Sequence, residues 1–170
     1  MSMAQAGDEA EQIVQDACRG KVFHHRKTQA EDRAGIDLKV ISAEAGHRGA
    51  TAPAQVKGSL KSHVQVDFGC KRTTLYLEYL YLGISLIFVF KDNSGSECFG
   101  VVRGGDMQCA ADFGVSHLQM KTNAFIQLLK DKYAFFDTRE GLGDCLRSLA
   151  ANPPEPVPPR RSGRRGGKTF

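Results

Sequence analysis

The first half of the chain shows a helical hydrophobic period followed by a strand period. Small and apolar residues recur every three or four positions over residues 7–18, and Gly20 follows them as a stop signal, which predicts a helix. Residues 21–26 predict a short strand, and the polar residues 27–35 predict a loop. From Ile36 onward apolar and polar residues alternate, which is typical of strands that bury one face.

Alternation predicts three consecutive strands, and the rest of the chain mixes helices with strands. The alternating segments, residues 36–43, 52–59 and 63–68, favour an antiparallel meander. The later patterns predict a helix, two strands joined by a turn at residues 93–95, a helix capped by Asn123 and a short terminal helix. In chain order these later elements cover residues 71–83, 84–92, 96–104, 123–136 and 142–151. The sequence therefore predicts a mixed α/β fold.

Composition and cysteine usage favour a single domain in a reducing compartment. A chain of 170 residues that is 41% hydrophobic and 25% charged fits one globular domain. Its five cysteines are odd in number and scattered, without a CxxC pair, and no basic start followed by an apolar run opens the chain. The longest apolar stretch, residues 75–90, is interrupted by Glu78 and Gly83 and is too short to span a bilayer. These features predict a cytoplasmic protein that does not enter a membrane.

The basic charge of the chain is concentrated at its C-terminus. Residues 152–170 contain five of the 23 Lys and Arg residues and one of the 19 acids, so residues 1–151 balance at 18 against 18. Five prolines, few apolar side chains and clustered like charges predict a disordered basic tail that follows a domain over residues 1–151. The tail is interpreted either as a solvated appendage or as an arm that binds nucleic-acid phosphates without sequence preference. The phosphate-binding side chains would be Arg160, Arg161, Arg164, Arg165 and Lys168.

Polar residues inside two of the predicted strands suggest a cation site. Side chains alternate between the faces of a strand, so Asp37 points away from Ile36 and Leu38 when these face the core. By the same alternation Gln55 and Lys57 lie on one face of the next strand. If the two strands pair antiparallel around their turn, a carboxylate, an amide oxygen and an ammonium group converge. Oxygen ligands of this kind suit Mg²⁺, which keeps several waters and can activate one of them toward a phosphodiester.

The order of these residues resembles the PD-(D/E)xK nuclease superfamily in its Gln-x-Lys form. An acid in the first helix is followed by Gly35-Ile36-Asp37 on one strand and Gln55-Val56-Lys57 on the next, within about residues 7–103. Mrr-like restriction endonucleases and related bacterial domains of unknown function share this layout. The resemblance implies a restriction-endonuclease-like mixed sheet flanked by helices. It also implies that Mg²⁺ or Mn²⁺ is bound by Glu11, Asp37, Gln55 and the carbonyl of Val56, while Lys57 orients water and stabilises charge.

Two positions depart from the family pattern, and the choice of the helix acid is open. Ile36 stands where the family has a proline, at a position that is structural. Gln55 replaces a carboxylate, so the site carries one negative charge fewer and should hold the cation less tightly. Glu11 stands three residues before Val14, as the family pattern requires, whereas Glu9 lies closer to the apolar stripe of the helix and is the alternative.

The resemblance implies a metal-dependent phosphodiesterase that acts on nucleic acid, with a DNA endonuclease favoured. Hydrolysis would leave a 5′-phosphate and a 3′-hydroxyl, and the enzyme could be a homodimer. Two alternatives stay open: a catalytically inactive module of the same fold that binds nucleic acid or protein, and an adaptor whose tail binds an acidic partner or a proline-recognising domain. A plain surface ion pair between Asp37 and Lys57, with Gln55 solvated, is the structural alternative to a site.

Other candidate groups are expected to be structural. His24 and His25 are adjacent in a strand, so they face opposite ways and cannot bind one metal together. Tyr76, Tyr79 and Tyr81 are expected to pack in the core or a groove rather than to stack on bases. No cysteine lies in a basic, helix-starting context that would activate its thiol, and the chain has no phosphate-loop motif.

Overall fold

A six-stranded mixed sheet lies at the centre of the computed structural model, which describes residues 3–61, 64–68, 75–107, 112–113 and 118–158. The helices of these ranges are α1 (Met3–Cys18), α2 (Gln29–Arg33), α3 (Leu75–Tyr81), α4 (Thr122–Lys132) and α5 (Arg139–Ala151). The strands are β1 (Phe23–Arg26), β2 (Leu38–Ile41), β3 (Thr51–Ser59), β4 (Gln65–Phe68), β5 (Ser85–Lys91), β6 (Glu97–Val102), β7 (Leu118–Lys121) and β8 (Ala134–Phe136). Among these helices none is long and apolar enough to cross a membrane.

The central sheet has the strand order β1-β2-β3-β5-β6-β8. Neighbouring strands run antiparallel except for β3 and β5, which run parallel. A parallel pair needs a crossover connection, and here the crossover contains β4 and α3. Strand β4 pairs with β7 in a separate two-stranded sheet. The predicted mixed α/β fold is therefore confirmed, with a sheet that is mostly antiparallel.

Helices cover both faces of the central sheet. On one face α1 and α5 pack against alternate residues of β2, β3, β5 and β6. On the other face α3, α4 and the β4–β7 sheet enclose the opposite residues of β5 and β6. This second core is rich in aromatic rings, whose centroids lie from 4.8 to 6.3 Å apart in the tilted and edge-to-face arrangements that ring quadrupoles favour. Its phenylalanines are Phe68, Phe88, Phe90, Phe113 and Phe125.

Two predictions for the N-terminal half are wrong. Within the expected loop over residues 27–35, Thr28 caps α2: its hydroxyl accepts the N–H of Glu31, and the Glu31 carboxylate accepts the N–H of Thr28. The third strand of the expected meander is not in the central sheet. Val66 and Phe68 of that segment are buried in the aromatic core as part of β4, and the meander consists of β1, β2 and β3. His63, the first residue of the expected strand, lies outside the described residues.

The predicted helix over residues 123–136 is also wrong at both ends. Its N-cap is Lys121 rather than Asn123, and α4 ends at Lys132. Residues Ala134–Phe136 form β8 on the edge of β6, where their backbone groups gain sheet hydrogen bonds that a helix end would leave unpaired. The predicted β5–β6 hairpin is confirmed, and the terminal helix begins earlier than expected, at Arg139.

The first residues of the predicted tail lie against the domain. Helix α5 ends at Ala151, the predicted domain boundary, and the chain continues without regular structure to residue 158. The Arg103 guanidinium donates to the carbonyl of Asn152, and the Val157 N–H donates to the carbonyl of Tyr81 at 2.9 Å. The tail cations lie outside the described residues; they are Arg160, Arg161, Arg164, Arg165 and Lys168.

Candidate metal centre

The candidate site lies where β2 and β3 separate. The last paired residues of these strands are Leu38 and Ala54, whereas β3 stays paired with β5 on its other edge as far as Ser59. Asp37, which precedes β2, bridges the gap: its N–H donates to the Ala54 carbonyl at 2.9 Å, and its Oδ2 accepts the Val56 N–H at 2.7 Å. The N–H and C=O of one strand residue point to the same side, so the Val56 carbonyl also faces this gap.

A cavity of about 520 Å³ opens at this gap. Residues of α1, β3 and β4 line it, together with Asp37. All five residues that the sequence analysis singles out are among the lining residues, namely Glu11, Asp37, Gln55, Val56 and Lys57. The structure thus brings these five residues together at one cavity. Ile36 differs from its prediction, because it packs against the aromatic core while Leu38 and Val40 face the other core.

Helix α1 reaches the cavity because β3 has a glycine where the two elements meet. A Cβ atom on Gly58 would lie 2.7 Å from the Cβ of Ala10 and 2.9 Å from the Ala6 carbonyl oxygen. The missing side chain lets the helix approach the strand and brings Glu11 to the cavity wall. Glu9 is exposed and does not line the cavity, whereas Glu11 does.

The turn before Asp37 depends on a second glycine. Gly35 has a φ of +78°, a left-handed conformation that side chains other than glycine rarely adopt. The Tyr79 ring lies against its Cα, in the place that a Cβ atom would occupy. Tyr79 is buried, as expected for a packing residue, and its contact with Gly35 fixes the approach of the chain to Asp37.

Lys27 is a site residue that the sequence analysis missed. Its Nζ lies 3.1 Å from Glu11 Oε1, 3.4 Å from Asp37 Oδ1 and 3.1 Å from Asp32 Oδ1. Three carboxylates from α1, α2 and the start of β2 thus meet at one ammonium group. The sequence holds a signal for one part of this arrangement, because the capping box that begins with Thr28 fixes α2 and, with it, Asp32.

Burial and crowding shift the pKa values of these charged groups. Loss of hydration raises the pKa of Glu11, and the neighbouring Asp37 charge raises it further, against a smaller opposing effect of Lys27. Burial likewise raises the pKa of Asp37, although the Val56 N–H and Lys27 act in the opposite direction. Burial alone would lower the pKa of Lys27, but hydrogen bonds to Asp32 and Glu11 and the nearby acids raise it overall. Lys27 therefore does not fully offset the effect of burial on the two acids, which we call under-neutralised. Additional positive charge would favour their ionised forms.

Gln55 presents an unsatisfied oxygen at the same place. Its side chain is only 7% exposed, and Oε1 has no hydrogen-bond partner within the described ranges. Its Nε2 donates weakly to the Val56 carbonyl at 3.5 Å. A buried amide oxygen without a partner costs free energy, on the order of 1–3 kcal/mol. A bound cation would remove that cost, so this orphaned oxygen fits a cation site and not the solvated glutamine of the structural alternative.

Lys57 lies on the cavity wall and makes no ion pair with a described carboxylate. Its charge still acts on Asp37, where it helps to lower the pKa of that acid. The ion pair of Asp37 is made with Lys27, so the alternative of a plain Asp37–Lys57 surface pair is wrong. Lys57 thus offers its positive charge to the cavity.

The donor set suits a hard divalent cation of modest affinity. It comprises two carboxylates, one amide oxygen and one backbone carbonyl, all of them oxygen ligands. In the part of the chain that the structure describes, no three His, Cys, Asp or Glu side chains are grouped so as to hold a metal ion. The third side chain of the donor set is the neutral Gln55, and Lys27 lies between the two acids.

The other candidate residues have structural surroundings. His25 Nε2 lies 3.3 Å from Glu31 Oε2 whereas His24 is exposed. Burial raises the pKa of the Cys18 thiol to about 12 and that of the Cys98 thiol to about 11, the opposite of activation. Tyr81 is partly exposed at the end of α3, and the side chain of Tyr76 lies outside the described part of the chain.

Comparison with known proteins yields no match: no family model, curated protein or solved structure is similar to this chain. The interpretation of the cavity therefore depends on its own residues and on the motif resemblance.

Proposed function

We propose that the protein is a metal-dependent phosphodiesterase that acts on nucleic acid, with DNA as the favoured substrate and a restriction-endonuclease-like fold. The observation that carries the proposal is the buried Gln55 Oε1, which has no hydrogen-bond partner among the described residues, in a residue that lines one cavity with Asp37, Glu11 and Lys57. A structural strand pair would gain nothing from a buried unpaired oxygen beside two under-neutralised acids.

The proposed cation is Mg²⁺ or Mn²⁺. It would be held by the carboxylates of Glu11 and Asp37, the amide oxygen of Gln55 and the carbonyl of Val56. When bound, such a cation lowers the pKa of water and polarises a phosphoryl oxygen. Asp37 is already oriented for this role, because the Val56 N–H holds Oδ2 and leaves Oδ1 for another positive partner.

Lys57 is proposed to stabilise charge in the transition state. It lies on the cavity wall without an ion pair to a described acid, so its ammonium group is available to a phosphodiester. Charge that develops on phosphoryl oxygens is stabilised most strongly by positive groups fixed beforehand in a partly dehydrated cavity. The basic residues of the tail would add contacts to phosphates without sequence preference.

A cleavage assay tests this function. Purified wild type is offered single-stranded, duplex and branched DNA, and RNA, with Mg²⁺, with Mn²⁺ and with a chelator. We expect cleavage that requires the metal and a loss of at least about 10³-fold in Asp37→Ala. Glu31→Ala is the matched control, since Glu31 is a lysine-paired acid outside the cavity. Cleavage that persists with the chelator, or that Asp37→Ala retains, would refute the proposal.

One observation favours a second candidate, a catalytically inactive module of the same fold that binds nucleic acid or protein. The Lys27 ammonium already neutralises part of the charge of Glu11 and Asp37, as a structural ion-pair network would. The same preparations distinguish the two functions. An inactive module that binds nucleic acid would shift it in a gel, cut none of the substrates, and bind it equally well after chelation, whereas one that binds protein would neither cut nor shift nucleic acid.

A further inference from the structure

The position of Lys27 bears on how the proposed metal site is filled. Its Nζ contacts one oxygen of each cavity acid: Oε1 of Glu11 at 3.1 Å and Oδ1 of Asp37 at 3.4 Å. The other oxygen of Asp37 is occupied by the Val56 N–H at 2.7 Å. The Asp37 oxygen that remains for a cation is therefore the one that Lys27 contacts.

Lys27 also has a third partner that lies outside the cavity wall. Asp32, on α2, is 57% exposed, and its Oδ1 lies 3.1 Å from the same Nζ. The Lys27 side chain is itself 31% exposed, so part of it is open to solvent. If Lys27 left the two cavity acids, it would keep one ion pair and regain water, which lowers the cost of moving.

We infer that Lys27 is a built-in competitor of the divalent cation, which occupies Glu11 and Asp37 in the metal-free protein and withdraws toward Asp32 when the site is loaded. The inference depends on the proposed function, because it assumes that these acids bind a divalent cation. The measured metal affinity would then reflect the free energy of binding the cation minus that of the Lys27 ion pairs at the same oxygens. The protein would accordingly load only at cation concentrations high enough to displace the lysine.

Calorimetric titration with MnCl₂ tests the competition without any measurement of cleavage. The proteins are wild type, the neutral variants Lys27→Gln and Lys27→Met, the charge-conserving Lys27→Arg, and Lys39→Gln. Lys39 is the matched control, because it is 29% exposed and pairs with Glu31 at 2.6 Å but does not line the cavity. Circular dichroism establishes that each variant is folded before titration.

We expect both neutral variants to bind Mn²⁺ at least about tenfold more tightly than wild type, since loss of two partly buried ion pairs releases the two acids. Lys27→Arg and Lys39→Gln should stay close to wild type. Saturating Mn²⁺ should also raise the melting temperature of Lys27→Gln by more than that of wild type, because this variant lacks the internal counter-ion.

The outcomes separate the inference from the proposed function. If wild type binds Mn²⁺ and the neutral Lys27 variants bind it equally or more weakly, the competition is refuted and the metal site stands. A gain of the same size in Lys39→Gln would also refute it, as an effect of net charge. If neither wild type nor any Lys27 variant binds Mn²⁺, the metal site itself is refuted, and the inference with it.

Discussion

Two lysine–carboxylate clusters meet at α2, one through Glu31 and the other through Asp32, and they differ in how many acids share one lysine. The capping cluster comprises Lys39, Glu31 and His25: Glu31 accepts from Lys39 at 2.6 Å, from the Thr28 N–H at 3.0 Å, and contacts His25 at 3.3 Å. The cavity cluster is the reverse, because the single ammonium of Lys27 serves Glu11, Asp32 and Asp37.

The pKa values of the acids follow this difference. Its hydrogen bond with Lys39, followed by that with Thr28, lowers the pKa of Glu31 to about 2. In the cavity cluster burial outweighs Lys27, and the pKa values of Glu11 and Asp37 are both raised. The capping cluster is a satisfied structural network, whereas in the cavity cluster burial opposes the ionisation of both acids, next to a Gln55 amide oxygen that has no hydrogen-bond partner in the described ranges. Shifts of the second kind are a mark of functional sites.

The largest difference between the clusters is expected from lysine replacements measured by single-turnover cleavage. Lys57→Met, beside the cavity cluster, should slow cleavage by about 10²-fold or more, because a charge-stabilising group is lost from the transition state. Mn²⁺ affinity should not fall, since a lysine is not a ligand. Lys39→Met, in the capping cluster, should leave the rate within about twofold of wild type. A slow Lys57→Met that also binds Mn²⁺ poorly would contradict the assigned role.

A change at Gly58 should affect the cavity cluster through α1. Gly58→Ala places a Cβ 2.7 Å from that of Ala10, so the helix must shift, at a cost of about 1–3 kcal/mol in the free energy of unfolding. Gly7→Ala, within α1 itself, is the control. The added Cβ meets no atom within 4 Å, and we expect the free energy of unfolding to rise by about 0.5–1 kcal/mol. Urea denaturation measures both values. Equal stability of the two variants would mean that the close approach does not constrain α1.

Added charge at Gln55 should strengthen the cavity cluster as a cation site. Gln55→Glu replaces a neutral ligand with a carboxylate, and we expect Mg²⁺ to bind about tenfold more tightly in calorimetry. Gln65→Glu adds the same charge elsewhere on the cavity wall and should have a smaller effect. Equal gains in Mg²⁺ affinity from the two substitutions would indicate that the added negative charge acts through the electrostatic potential of the cavity and that Gln55 is not a ligand.

The smallest expected effect is on the pH dependence of stability in metal-free protein. Raised pKa values mean that the folded state binds more protons at Glu11 and Asp37 than the unfolded state does, so their contribution to stability falls as pH rises above their ordinary values of 4.5 and 3.8. Glu31 has the opposite sign: its contribution is present above 4.5 and is lost as pH falls toward about 2.

Urea denaturation between about pH 3 and pH 7 measures the free energy of unfolding and so gives the sign of each pH dependence. The stability of the double variant Glu11→Gln/Asp37→Asn, relative to wild type, should increase with pH over this range. That of Glu31→Gln should decrease with pH instead. Slopes of the same sign in both proteins would mean that the two clusters do not differ as described.

The local pattern of the sequence determined most of the elements and part of the site. Alternation correctly placed Gln55 on a strand, whereas Asp37 lies directly before β2; both residues line one cavity. The error at the C-terminal end of α4 falls where a segment had two acceptable partners. Residues 134–136 could extend a helix or pair with the edge of β6, and only the presence of that edge decided for β8.

What the tertiary structure alone decided is the assembly of charges around Lys27. The acids that contact it belong to α1, α2 and the residue before β2, and no local period relates their positions. Glu11 arrives because Gly58 lets α1 approach β3, and Asp37 turns inward because β2 separates from β3 at Val56. Contacts of this kind depend on how buried faces pack across long stretches of chain, whereas a sequence pattern reports only the face that each element will bury.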